Sequence, residues 1–114
     1  MPDASIPQLS PDEAAERVAS GALLLDVRED DEWTAGHAPD ARHLPLGRLG
    51  AEYDELPKDR VIVAVCRVGG RSQRAAEALA GAGYDVVNLA GGMRAWAAAG
   101  RPVVTDDGGA GQVI

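Results

Sequence analysis

The sequence predicts an α/β domain with a mainly parallel central sheet, on three observations. Apolar runs at 22–27 (ALLLDV), 60–65 (RVIVAV) and 85–89 (DVVNL) alternate with segments that carry helix caps or helical spacing. The first run is continuous and Leu-rich rather than alternating, the pattern of a strand covered on both faces. In segment 72–82, Ala75, Ala76, Leu79 and Ala82 fall at helical spacing, so one face of that helix is set to pack on the sheet. With 114 residues, 46% hydrophobic and 25% charged, the chain can bury one core without staples. A single domain is expected over 1–104, with 105–114, which contains Asp106-Asp107-Gly108-Gly109, as a mobile tail.

The elements follow in order. Ser10-Pro11-Asp12-Glu13 has the form of a capping box with proline at the first helical position, and predicts a helix to about Ala19 that stops at Gly21. The strand at 22–27 is followed by a short helical turn at 29–34, whose Glu29-Asp30-Asp31-Glu32 run supplies favourable negative charge to its first turn. An Arg28–Glu32 pair at helical spacing is expected to hold that turn. His37-Ala38-Pro39-Asp40 is turn chemistry, 41–44 a short strand, and 46–56 a weak helix interrupted by Gly47 and Gly50 and closed by Pro57. After the strand at 60–65 and the helix at 72–82 come a strand at 85–89, a Gly91-Gly92 turn and a last helix at 93–99. Trp33 and Trp96 are expected to be packing anchors. The order of strands in the sheet does not follow from the sequence.

Charge and composition narrow the function. A net charge of -7 disfavours nucleic acid and anionic membrane surfaces, both of which reward basic faces. No segment approaches the length of a membrane span and the N-terminus lacks a basic region before an apolar stretch, so a cytoplasmic protein is expected. His37 and His43, without a second cysteine or HExxH spacing, do not make a metal site, and the glycines match neither the GxGxxG nor the Walker spacing, so no metal or cofactor is expected. The single cysteine cannot form an internal disulfide, and any covalent intermediate on it must be discharged by another molecule.

That cysteine is the candidate nucleophile. Cys66 sits where the strand at 60–65 turns toward the helix at 72–82, in the loop Cys66-Arg67-Val68-Gly69-Gly70-Arg71-Ser72. A thiol is nucleophilic when ionised, and its pKa falls at a helix N-terminus or beside arginines. The two glycines let successive N–H groups turn inward to form an anion-sized nest, while Arg67 and Arg71 add positive charge. The competing reading is a buried cysteine that merely ends a strand.

Four motifs in register resemble those of single-domain rhodanese-like sulfurtransferases: Asp26-Val27-Arg28-Glu29, Gly36-His37-Ala38-Pro39-Asp40-Ala41, the Cys66–Ser72 loop, and Gly91-Gly92-Met93-Arg94-Ala95-Trp96. Ala38, where that family usually carries a larger aliphatic residue, and Asp40, often glycine, are departures that affect local packing. The resemblance implies a rhodanese-like sheet flanked by helices on both faces, and a Cys66 that accepts sulfur to become a persulfide. By position, Arg67, Val68, Gly69, Gly70, Arg71 and Ser72 would bind the substrate, and Asp26 and Arg28 would support the loop.

The implied partners are a small anionic sulfur donor, thiosulfate first, and cyanide, a thiol or a protein as acceptor. A mercaptopyruvate donor is disfavoured because enzymes using it resemble one another in a small uncharged residue after the cysteine, where this chain has Arg67. The similar dual-specificity phosphatases carry a loop one residue longer than the four residues between Cys66 and Arg71, which argues against phosphatase or arsenate reductase chemistry. A persulfide relay or binding module serving one protein partner is the alternative from a different class.

Overall fold

The computed structural model describes residues 5–114. Five strands form one sheet: β1 (Gln8–Leu9), β2 (Leu23–Asp26), β3 (Arg42–His43), β4 (Ile62–Val65) and β5 (Val86–Leu89). Their order is β1-β5-β4-β2-β3 and every pairing is parallel. Five α-helices connect them: α1 (Pro11–Ala19), α2 (Asp30–Ala35), α3 (Leu46–Glu52), α4 (Gly70–Gly81) and α5 (Gly92–Ala98). The mixed α/β architecture expected from the alternating runs is the one observed.

Both faces of the sheet are covered, which is why its strands read as unbroken apolar runs. On one face Leu23, Leu25, Ile62, Ala64 and Val86 pack with Leu49 of α3 and Ala75, Ala76 and Leu79 of α4. On the other, Leu24, Val63, Val65, Val87 and Leu89 pack with Ala14 of α1 and Met93 and Trp96 of α5. The strict alternation of neighbours between the two clusters follows from the two-residue period of a strand. Register places Asp26 opposite Val65, so β2 and β4 end at one rim and deliver Arg28 and Cys66 there.

Local chemistry accounts for the helix starts. Glu13 N–H donates to the Ser10 hydroxyl at 3.1 Å, and Ser10 N–H donates to the Glu13 carboxylate at 2.9 Å, the reciprocal pair that the Ser-Pro-Asp-Glu run encodes. The weak helix expected over 46–56 divides at Tyr53, where α3 tightens into a 3-10 turn, Tyr53–Glu55. Among the described residues no helix is long and apolar enough to cross a membrane.

Three expectations are corrected. Residues 105–114 do not hang free: Gly111 N–H donates to Val103 at 2.9 Å, Gln112 N–H donates to Ala35 at 2.8 Å, and Val113 packs on the core. The polar Asp-Asp-Gly-Gly turn dominates the composition there and hides the short apolar pieces on either side that anchor it. Trp96 is buried, with its indole N–H donating to Pro102 at 2.8 Å, but Trp33 is half-buried and stacked between the rings of His37 and His43, at 3.6 and 4.7 Å between centroids. Arg28 does not pair with Glu32. It turns into the interior to meet Asp26 at 2.8 Å, because both side chains are wholly buried and neither charge can be left alone.

Candidate active site

Cys66 follows β4 directly and is 1% exposed, with its sulfur at the floor of the loop that leads into α4. Gly69 takes φ +112, a conformation open to glycine, and this aims its N–H at Sγ from 3.1 Å. The Ser72 hydroxyl lies 3.3 Å from the same sulfur. Burial pushes the Cys66 thiol up, but hydrogen bonds from the Ser72 side chain and from the Ser72, Gly69 and Val68 amides outweigh it and hold the thiol below its ordinary 9.0. Of the loop amides, that of Gly69 hydrogen-bonds the sulfur. Val68 itself is 54% exposed and roofs the loop.

The two loop arginines differ in their surroundings. Arg71 is held in a fork by Glu32, with Nη1 donating to Oε1 at 2.6 Å and Nη2 to Oε2 at 2.8 Å. That hydrogen-bonded guanidinium holds the Glu32 carboxyl below its usual 4.5, and in return the Arg71 charge is fixed more firmly. The nearest counter-charge thus comes from α2 across the rim, whereas on sequence alone Glu32 belonged with Arg28. Arg67 is half-exposed and donates from Nε to the Ile114 carbonyl at 2.9 Å, so the docked C-terminal segment ends against the loop.

Asp26 and Arg28, expected to support the loop, bond chiefly to each other and to the turn at Gly36, whose carbonyl accepts from Arg28 Nη2 at 2.8 Å. They hold the foot of α2, and α2 in turn presents Glu32 to the loop.

Glu32→Gln should cost about 1 kcal/mol of stability at neutral pH, since the pair is only partly exposed and well aligned. The contribution is complete above the ordinary carboxyl value of 4.5 and disappears as pH falls through the lower folded value, so the variant and the wild type should converge in denaturant melts at low pH.

A further support comes from α5. Met93 N–H donates to the Cys66 carbonyl at 2.7 Å and Arg94 N–H to the Arg67 carbonyl at 3.0 Å. This approach requires Gly92, at φ +60, because a Cβ there would lie 2.5 Å from the Arg67 carbonyl carbon and oxygen. Gly92→Ala should lose about 1–3 kcal/mol in urea unfolding and should also raise the hydrogen-exchange rate of the Gly69 amide, as the loop parts from α5.

Sequence reasoning missed Asn88 and Gln8. Asn88 is 2% exposed on β5 and donates from Nδ2 to Gln8 Oε1 at 3.0 Å and to the Gly69 carbonyl at 3.2 Å. Its signal was a lone amide inside the apolar run DVVNL. An apolar groove of about 590 Å³, lined by Leu46, Leu49, Tyr53 and Leu79 among others, lies between α3 and α4, away from Cys66.

The model of the Rhodanese-like domain family matches residues 10–99. A sulfurtransferase of Allochromatium vinosum is 44% identical over 87 residues, covering 75% of this chain and 81% of that protein. A putative sulfur carrier protein of Bacillus subtilis is 37% identical over 95 residues, covering 81% of this chain and 51% of that protein. Among solved structures, a rhodanese-related protein from Thermoplasma volcanium superposes with a TM-score of 0.83 at 28% identity, covering 88% of this chain and 99% of that one.

Proposed function

Since the chain belongs to the Rhodanese-like domain family and is similar to sulfurtransferases over most of its length, we propose that it transfers a sulfane sulfur through a persulfide on Cys66. The observation that carries this reading is the sulfur of Cys66 set at the end of β4 with the Gly69 N–H turned toward it at 3.1 Å and the Ser72 hydroxyl 3.3 Å away. The donor is thiosulfate or a related small anion. The Cys66 thiolate attacks the terminal sulfur, the sulfur–sulfur bond of the donor breaks, and sulfite leaves with the electron pair. The charge now rests on the outer sulfur of the persulfide, where the loop amides and the start of α4 oppose it. Cyanide or a thiolate then attacks that outer sulfur, and the Cys66 thiolate is regenerated. Two half-reactions on one nucleophile give ping-pong kinetics.

Arg67 is the better candidate for the incoming sulfonate. Among the described residues its side chain bonds the Ile114 carbonyl alone, whereas the Arg71 fork is already filled by a carboxylate. Arg71, expected alongside Arg67 as a substrate residue, would act mainly by holding the loop to α2. A relay to a protein acceptor is the second reading. It is supported by the likeness to a protein named as a putative sulfur carrier.

Intact-protein mass tests the reading directly. Incubation with thiosulfate should add one sulfur atom to the protein, and cyanide should remove it as thiocyanate. No uptake from thiosulfate, with uptake from a persulfidated protein or low-molecular-weight persulfide, would replace thiosulfate by the relay. No uptake from any of them would overturn the proposal.

A further inference from the structure

The Ser72 hydroxyl has one proton and three acceptors around it: Asn88 Oδ1 at 2.6 Å, Cys66 Sγ at 3.3 Å and the Gly69 carbonyl at 3.3 Å. Which of them receives the proton is decided by the orientation of the Asn88 amide. The Gly69 carbonyl only accepts, and it lies 3.2 Å from Asn88 Nδ2. Turning the amide over would set two carbonyl oxygens face to face, so Nδ2 points to Gly69 and Oδ1 is left facing Ser72. Two oxygens 2.6 Å apart need a proton between them, and only Ser72 can supply it. With its proton given to Asn88, Ser72 offers the sulfur a lone pair, which suits the protonated thiol and not the thiolate.

We propose that Asn88 is a positioning residue for the Cys66 reaction: it holds the Ser72 proton away from the sulfur until the sulfur is charged, and so sets the pH at which the thiol becomes reactive. The inference deepens the sulfur-transfer reading and rests on it for its meaning in turnover. When Cys66 ionises, the charged sulfur is the stronger acceptor and draws the Ser72 proton from Asn88, and the Ser72–Asn88 contact, 2.6 Å while the proton bridges it, opens as the proton leaves. When the sulfur becomes the uncharged inner atom of a persulfide, the proton returns to Asn88. The hydroxyl thereby follows the charge on Sγ through the cycle by rotation and a small side-chain shift, with no covalent bond made or broken.

The charged side chains of the loop are Arg67, turned to Ile114, and Arg71, with Glu32 of α2 and Glu29 at its N-cap beside Arg71. None of them hydrogen-bonds Asn88, whose partners are Ser72, Gly69, Gln8 and Gln73, and none of these four titrates. An uncharged substitution at Asn88 therefore reads the Ser72 proton without altering the local electrostatics.

The test is the pH profile of Cys66 alkylation by iodoacetamide, which needs no sulfur transfer and so stands or falls separately from the proposed activity. Asn88→Leu removes the competing acceptor and should move the midpoint down by about one pH unit. Asn88→Asp offers a stronger acceptor and a negative charge and should move it up by about the same amount. In a Ser72→Ala background, Asn88→Leu should leave the midpoint where Ser72→Ala alone puts it. A merely structural role would shift both variants the same way. That result, an unchanged midpoint in Asn88→Leu, or a full shift that persists without the Ser72 hydroxyl, would overturn the proposal. If Asn88→Leu does not fold, Asn88→Asp decides the matter by the part of its shift that is lost in the Ser72→Ala background, since the carboxylate charge raises the midpoint with or without the hydroxyl.

Discussion

Cys66→Ser should retain the fold and lose sulfur transfer, with turnover below about one thousandth of wild type. The serine oxygen fits the space of the sulfur and can accept from the Gly69 N–H that now meets Sγ at 3.1 Å, so no buried donor is orphaned. Unfolding free energy should change by less than about 1 kcal/mol. The chemistry fails for a different reason. The loop lowers a pKa that begins at 9.0 for a thiol, whereas a hydroxyl begins so far above neutrality that a few amides do not ionise it, and oxygen is a poor leaving group for sulfur exchange. Assay of thiocyanate formation beside a denaturant melt separates the two effects. Near-normal turnover in this variant would remove Cys66 from the mechanism, since the chain has no other cysteine to take its place.

Arg28→Met should produce the largest loss of stability of any single change at the rim, about 3–5 kcal/mol, because it leaves the Asp26 carboxylate buried without a counter-charge. In a domain of this size that corresponds to a fall of about 10–25 °C in Tm. The pair is not an ideally satisfied one, since Arg28 Nη1 has no hydrogen-bond partner among the described residues. The double variant Asp26→Leu/Arg28→Met, with both charges removed, should therefore recover much of the loss. What it does not recover measures the bonds to Arg28 N–H and the Gly36 carbonyl, which seat α2. If the single and double variants unfold at the same temperature, the charges are not what matters at this position.

The contrast between these two sites bears on what the sequence makes legible. β2 and β4 could be read because a strand covered on both faces must be apolar at every position, and Ser10 could be read because a capping box is a local bargain between residues three apart. The Cys66 loop was legible for the same reason: its glycines, its amides and the helix after it are contiguous. β1, at two residues, is too short to carry a period, and it is a strand only because β5 lies beside it. Glu32 looked like a first-turn charge with Arg28 at helical spacing, yet burial sent Arg28 inward and Arg71 arrived from 39 residues away. Asn88 and Gln8 are 80 residues apart, and nothing in either neighbourhood announces the other. Residues that chemistry joins locally were readable, and those that only the tertiary fold joins were not.

The sheet order has a consequence for how the chain reaches its native state during synthesis. β1 is made early, but its sole neighbour is β5, and Gln8 aligns with Asn88. At ribosomal speeds of about 5–20 residues per second, the edge strand waits about 4–16 s before its partner exists. Over that interval β2 and β4 can already pair across a much shorter loop. The last strand to be made is therefore the one that lets the first one join, and with it come Gln8 and the Asn88 amide that orders the loop. The nascent chain carries its cysteine for about 1–4 s before Asn88 is made.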